Sequence, residues 1–111
     1  MSHAVARLRT ARLARSEKPF IARGSRSIRC ESCRIALSHC ICALRPNVQA
    51  HSGMCLLMHD IEALKPSNTG WLIADVVADT CAFGWQRTVV DEALLALLAD
   101  PAWQPFLVFP G

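Results

Sequence analysis

The sequence predicts an α/β fold with a largely parallel sheet, and three observations carry that prediction. Short apolar runs typical of strands occur at 54–58 and 106–109, and a segment rich in aromatic and β-branched residues lies between them at 80–90. Helical patterns separate these segments. Because a helix that joins two strands favours their parallel pairing, the order strand, helix, strand, helix, strand indicates an α/β unit. The 111 residues suffice for one small hydrophobic core.

The first third of the chain is basic. Residues 4–15 can form a helix with a thin apolar edge and a broad cationic face, although the sequence does not reveal its packing partner. A proline and a glycine interrupt the pattern afterwards, so 18–29 is expected to be an extended basic connector. Residues 1–34 hold nine Arg or Lys against two acids, a net charge of +7, whereas 35–111 carry −4. This asymmetry indicates a basic arm that meets a polyanion, with nucleic acid the leading candidate.

Each helix of the α/β region has a start signal. Ser67 or Asn68 can cap the first helix, whose apolar positions recur at helical spacing while Asp75 and Asp79 are expected to face outward. Asp91 can cap the second helix, EALLALLA, which a proline terminates. The first strand, at 54–58, is continuously apolar and is expected to be buried on both faces.

Four cysteines, Cys30, Cys33, Cys40 and Cys42, form the pattern C-x2-C-x6-C-x-C within thirteen residues. Soft thiolates at this density suit tetrahedral Zn(II). An iron–sulfur cluster, a redox disulfide and a metal-free fold are the alternatives.

The cysteine content also bears on the compartment. The Arg-rich start lacks the apolar segment of a secretory signal, so we expect reduced cysteines and a cytoplasmic protein, with an organellar transit peptide as the alternative. Cys55 and Cys81 lie in apolar stretches and are expected to be small buried hydrophobes.

The polar loop after the first predicted strand is a second candidate site. The segment HDIEALKPSNTG, residues 59–70, follows a strand end and precedes a helix start. Ligands bind in this crevice of open α/β sheets, and free helix N–H groups attract phosphate or carboxylate. An ordinary capped helix with a solvated loop is the alternative. His59 and Glu62 could act as an acid and base pair, but each is more often a hydrogen-bonded strand-end residue.

Several stretches together resemble a known family. In chain order they are KPFIARGSRSIRCESC, HCICAL, LLMHDIEALKPSNTGWLIADVV, WQRT and WQPFLVFPG. This series, and above all the KPSNTG block with its upstream H-x2-E, resembles the N-terminal half of the DTW-domain family. Members of that family are tRNA-uridine aminocarboxypropyltransferases.

The resemblance implies both an activity and an architecture. The enzyme would transfer the 3-amino-3-carboxypropyl group of S-adenosylmethionine to N3 of a tRNA uridine, and it would need a base for the N3 proton. The fold would be the N-terminal portion of a SPOUT-like domain, knotted and with a mostly parallel sheet, preceded by a small zinc module. The chain would then divide into a basic arm at 1–29, the zinc module at 30–45 and a truncated DTW-type domain at 46–111.

The resemblance also implies roles for particular residues: ligands of structural zinc, a donor or substrate site, and contacts to the tRNA backbone. The zinc ligands would be Cys30, Cys33, Cys40 and Cys42; the donor- or substrate-binding residues Lys65, Ser67, Asn68, Thr69 and Gly70; and the tRNA contacts Arg23 of the A-R-G triplet with Arg7, Arg9, Arg12 and Arg15.

Two departures from the family pattern affect these expectations. Trp71 stands where the family usually has arginine, so a charge contact expected there is missing. The Asp-x-Thr-Trp motif, whose aspartate is the family's suspected base, lies downstream of FPG in the family, which places the expected base beyond Gly111. We therefore expect the 111-residue chain to be inactive alone. The alternative function is a zinc-dependent tRNA- or RNA-binding module without catalysis, and a remnant without function is a third possibility.

Overall fold

A computed structural model describes residues 2–21 and 27–108 of the chain. The regular elements alternate between helix and strand after an N-terminal helix. They are α1 (Ala4–Ala14), β1 (Met54–His59), α2 (Gly70–Val76), β2 (Thr80–Trp85) and α3 (Glu92–Ala99), with short 3₁₀ helices at Leu37–His39, Cys42–Leu44 and Glu62–Leu64. No helix within the described ranges is both long and apolar enough to cross a membrane.

The sheet of the described residues consists of β1 and β2, which pair in parallel. Met54 lies opposite Thr80 and His59 opposite Trp85, and α2 makes the crossover between the two strands. A parallel pair needs such a crossover because both strands run in the same direction. The prediction of a mixed α/β fold with parallel pairing is therefore confirmed.

The strand expected at 106–109 is not present in its described part. Residues 104–108 form no strand, and Phe106 is 83% exposed. Apolar residues favour a strand only where a sheet edge accepts their backbone groups. Pro101 and Pro105 lie between α3 and this segment. Proline lacks the backbone N–H that hydrogen bonding between strands needs, so both residues disfavour a strand here.

The core occupies one face of the sheet. Val5 of α1, Met58 of β1, and Trp71 and Ala74 of α2 form one buried cluster. Val5 is fully buried, which stabilises the fold by about 2 kcal/mol. The packing partner of the N-terminal helix is thus the α/β core itself.

The other face of the sheet carries exposed apolar side chains. Cys55 is exposed, Cys81 is only partly buried, and Leu57 is 47% exposed. The expectations of a first strand covered on both faces and of two buried cysteines are wrong for the described residues. The reason is that α1 and α2 both pack on the face that presents Met58.

The start of α2 depends on a close approach to β1. A Cβ added to Gly70 would lie 3.2 Å from Asn68 Oδ1 and 3.3 Å from Leu56 Cδ1, so a glycine lets the helix sit directly on the strand. Asn68 Oδ1 accepts a hydrogen bond from the Trp71 backbone N–H at 3.0 Å. This confirms Asn68 as the side chain that caps the helix.

Asp75 faces inward, contrary to expectation. Its side chain is only 4% exposed and lies 3.0 Å from Arg45 Nη1 and 3.1 Å from His3 Nε2. The helical pattern of α2 alone could not reveal that residues from two distant segments cover this position. In contrast, Asp91 caps α3 as predicted, accepting a hydrogen bond from the Ala93 N–H at 2.8 Å.

The pH dependence of stability is expected to reflect His3. Burial, opposed by the charge of Asp75, lowers the pKa of His3 below its ordinary 6.5, and His3 Nδ1 accepts the Ala6 N–H at 3.0 Å, which requires an unprotonated nitrogen. The unfolded chain therefore binds a proton more readily than the folded chain. Stability from His3 is present above about pH 6.5 and is lost as the pH falls toward the folded pKa, by less than about 1.4 kcal/mol per pH unit.

Denaturant unfolding of the wild type and of His3→Gln from about pH 8 to 5 measures this contribution. The difference between their unfolding free energies should shrink toward acid. A difference that grows toward acid would show instead that a charged His3–Asp75 pair stabilises the fold.

Candidate metal centre and polar loop

A tight backbone turn brings the first two cysteines together. The Arg34 N–H donates to the Cys30 carbonyl and the Cys30 N–H to the Ile35 carbonyl, both at 2.9 Å. Arg34 has a φ of 65°, in the left-handed region that a side chain other than glycine adopts only at some cost. The turn therefore closes through a locally strained residue directly after Cys33.

The four cysteine sulfurs form one cluster. Cys30 Sγ lies 3.6 Å from Cys42 Sγ, and Cys33 Sγ lies 3.8 Å from Cys40 Sγ. All four ligand atoms lie within 4.8 Å of one another, and the cysteines are not joined by disulfides. Four sulfurs at the usual Zn–S distance of about 2.3 Å stand about 3.8 Å apart in a tetrahedron. The cluster can therefore bind a metal ion such as zinc.

The protonation of these thiols also suits a cation. Backbone N–H groups of Cys33 and Ser32 lower the pKa of Cys30 to about 6. The Cys42 N–H favours the Cys40 thiolate, but the neighbouring sulfurs outweigh it and raise the pKa of Cys40 to about 12. The Cys30 thiolate is thus easily formed, whereas hydrogen bonding to the neighbouring sulfurs holds the proton on Cys40. A divalent ion would take the place of that proton among the sulfurs.

Trp71 connects the cysteine turn to the polar loop. Its indole N–H donates to the Ser32 carbonyl at 2.7 Å, while its backbone N–H is bonded to Asn68. Arg45 donates to Ser32 Oγ at 3.2 Å and also contacts the buried Asp75. Reasoning from the sequence missed this connection, although Ser32 lies inside the C-x2-C pattern and Trp71 follows SNTG directly.

The residues of the polar loop differ in their exposure. Asn68 is 4% exposed, and its Nδ2 has no hydrogen-bond partner among the described residues. Ser67 and Thr69 on either side of it are exposed. Lys65 Nζ lies 3.1 Å from Glu62 Oε2, and both side chains are partly exposed. The loop therefore presents polar groups to solvent around one buried amide.

His59 and Glu62 make no ion pair with each other in the part of the chain that the structure describes, and their role as an acid and base pair stays a prediction. His59 ends β1 one residue after the buried Met58, so the alternation of the strand directs it to the opposite face of the sheet. Glu62 begins a 3₁₀ helix and pairs with Lys65. The family's suspected base is expected downstream of Gly111, and its position stays a prediction.

The arginines of the basic helix have different surroundings. Arg12 and Arg15 both approach Asp60 Oδ1, at 3.1 and 3.7 Å, and Arg7 donates to the Ser2 carbonyl at 2.7 Å. Arg9 has no carboxylate within 4.0 Å among the described residues. Arg23 lies outside the described residues.

Freshly reduced protein should contain one zinc ion per chain, because the four sulfurs have tetrahedral spacing. Cys33→Ser should lose the metal, whereas Cys55→Ser, a cysteine outside the cluster, should retain it. Since Cys40 must release its proton on binding, zinc affinity should fall as the pH falls. Metal analysis measures the zinc content per chain, and chelator competition measures the zinc affinity at each pH. Wild-type protein without stoichiometric zinc or iron would contradict the metal site.

Trp71→Phe should weaken both folding and zinc binding, because it removes the hydrogen bond to Ser32. We expect a loss of about 1–3 kcal/mol in the free energy of unfolding of the zinc-loaded protein. Trp85→Phe is the matched control, since Trp85 is 43% exposed at the end of β2. Equal effects of the two substitutions, in denaturant unfolding and in chelator competition, would show that Trp71 does not position the cysteine turn.

Comparison with known proteins bears on the segment that contains both candidate sites. The family model described as DTW domain matches residues 27–111, which include the cysteine cluster, both strands and the polar loop. No solved structure matches the chain significantly. The family match covers well over half of the chain and agrees with the resemblance of its motifs. The chain therefore belongs to the DTW-domain family.

Proposed function

We propose that this chain serves the transfer of the 3-amino-3-carboxypropyl group of S-adenosylmethionine to N3 of a tRNA uridine. The observation that carries the proposal is the DTW match, because it spans the KPSNTG loop at the carboxyl end of a parallel strand. Ligands of α/β sheets bind at such ends. The parallel pair of strands is compatible with the SPOUT-like architecture that we expect for the family.

The polar loop has the charges needed to hold the transferred group. The amino acid end of S-adenosylmethionine carries one ammonium and one carboxylate. The Glu62 carboxylate and the Lys65 ammonium form a partly exposed ion pair. Each of the two groups can also bind the opposite charge of the donor. In this proposal Lys65 binds the carboxylate of the donor and Glu62 binds its ammonium.

The buried amide beside this pair would fix the loop during the reaction. Asn68 is held by its bond to the Trp71 N–H. The backbone from which the exposed Ser67 and Thr69 side chains project is therefore fixed in position. The uridine N3 attacks the carbon bonded to the sulfonium, the carbon–sulfur bond breaks and neutral methylthioadenosine leaves. The N3 proton passes to a base, for which we assign no described residue. Orientation of the donor decides whether this carbon or the methyl group meets the nucleophile.

The cysteine cluster has a structural part in this proposal. Cys30, Cys33, Cys40 and Cys42 would hold zinc, which supplies a crosslink within a segment of little regular structure. Through Ser32 and Trp71 the crosslinked turn would support the start of α2 and, with it, the SNTG residues.

The alternative function, an RNA-binding module without catalysis, also has an observation in its favour. Several arginines close to the cysteine cluster have no carboxylate partner among the described residues, as RNA binding would require. The two functions differ in their donor: only the transferase binds S-adenosylmethionine.

Calorimetric titration of the zinc-loaded chain with S-adenosylmethionine should show binding. Lys65→Ala should weaken it about 10- to 100-fold, the usual range for a lost charge-assisted hydrogen bond, and Glu62→Gln should also weaken it. Lys18→Ala, which removes an exposed charge outside the loop, should leave the affinity unchanged. Absence of binding to the folded, zinc-loaded chain would reject the transferase proposal in favour of the RNA-binding alternative.

A further inference from the structure

Three arginines from two segments lie near one another, and one of them, Arg34, lies over the Trp71 ring. Arg9 comes from α1, whereas Arg29 and Arg34 flank the first cysteine pair. Arg29 Nη1 donates to the Arg34 carbonyl at 2.9 Å, and the Arg34 guanidinium lies 5.8 Å from the centre of the Trp71 ring. Arg29 and Arg34 are therefore held by the same contacts that shape the cysteine turn, and Arg9 lies close enough for its charge to act on Arg34.

These positive charges are not balanced by bonded carboxylates. Among residues 2–21 and 27–108, no carboxylate oxygen lies within 4.0 Å of the three guanidiniums, whereas Asp60 pairs with Arg12 and Arg15. The Nε atoms of Arg9 and Arg29 are also shielded from solvent without a hydrogen-bond acceptor in the described part of the chain. These two Nε groups are donors for which the described structure provides no acceptor.

The electrostatics are consistent with this geometry. The positive charges of Arg9 and Arg29 act on the Arg34 guanidinium, and the negative charge of Glu31 offsets them only in part. Like charges in a partly buried setting repel one another, so an anion placed among them would be attracted by all three.

We propose that Arg9, Arg29 and Arg34 form a phosphate-binding site for an RNA backbone beside the SNTG loop. Guanidinium groups present paired N–H donors that match two oxygens of a phosphate group, which a single ammonium cannot do. The inference rests on the proposed function in one respect, since it takes the anion to be the phosphodiester of the RNA that is modified.

The location of the site favours an RNA backbone over a small anion. Arg34 lies over Trp71, which directly follows the SNTG residues. An RNA strand whose phosphate is bound at Arg34 would therefore pass close to the polar loop. A phosphate contact sets the position of a nucleic acid without reading its sequence. The site would in this way place a nearby uridine at the loop. Arg9 adds to it from a helix that lies outside the segment matched by the family model.

Anisotropy titrations of unmodified tRNA against the zinc-loaded chain test the site. Arg9→Gln, Arg29→Gln and Arg34→Gln should each weaken binding about tenfold near physiological salt, and each should reduce the slope of log affinity against log salt by about one. The matched comparisons are Arg12→Gln and Arg15→Gln, which remove the same charge from α1 but from side chains that already pair with Asp60. Their effect should be clearly smaller.

Arg34→Gly separates binding from folding. Because Arg34 has a φ of 65°, glycine relieves backbone strain, so this variant should unfold no more easily than Arg34→Gln and should retain zinc, yet bind RNA as weakly. Site variants that bind tRNA like the wild type, or a loss no greater than in Arg12→Gln and Arg15→Gln, would overturn the proposal. Displacement of tRNA from the wild type by an equal concentration of inorganic phosphate would also overturn it, by showing a site for a small anion.

The same variants separate this inference from the transferase proposal. Their affinity for S-adenosylmethionine should equal that of the wild type, because the three arginines are not part of the polar loop. RNA binding that depends on the three arginines, in a chain without donor affinity, supports the phosphate site and rejects the transferase. If the chain binds S-adenosylmethionine and the three substitutions leave RNA binding unchanged, the result supports the transferase and rejects the phosphate site.

Discussion

The placement of Trp71 is the constraint on which the rest of the structure depends. Its two N–H groups have different tasks: the backbone N–H fixes Asn68 in the polar loop, and the indole N–H fixes the Ser32 carbonyl in the cysteine turn. The ring is buried in the same cluster as Val5 of α1. One residue thus holds together three segments that regular secondary structure does not join. Because the sheet of the described residues has two strands, such a contact largely determines where the cysteine turn lies.

The same side chain suits the charges around it. The arginine that the resemblance to the family implies at position 71 would stand beside Arg34 and add to the repulsion among Arg9, Arg29 and Arg34. The tryptophan ring instead attracts the Arg34 guanidinium through its face. It also packs edge-on against His3 at 4.5 Å between ring centres, which ties the N-terminal helix to this position. Charge near the loop is therefore retained, but other residues supply it.

Local patterns in the sequence predicted the features that depend on nearby residues. The helix at 4–14, the parallel strands, the caps at Asn68 and Asp91 and the cysteine cluster all follow from spacing and residue type. The failures concern contacts between distant segments. Asp75 is buried because Arg45 and His3 approach it, and 106–108 stays unpaired because no sheet edge of the described residues receives it. Neither fact is visible in the residues of the segment itself.

The distribution of charge shows why net charge alone does not locate a binding surface. The basic third of the chain has a net charge of +7, yet part of that charge is neutralised locally, since Arg12 and Arg15 share Asp60 on the surface of the fold. In the helix α1 docked on the sheet, Arg12 and Arg15 lie at Asp60, whereas the charge of Arg9 acts on Arg34 of the cysteine segment. A free arm would offer every arginine equally. The docked helix makes the positive charge specific in position, and it concentrates the unpaired part beside the loop where the chemistry is proposed to occur.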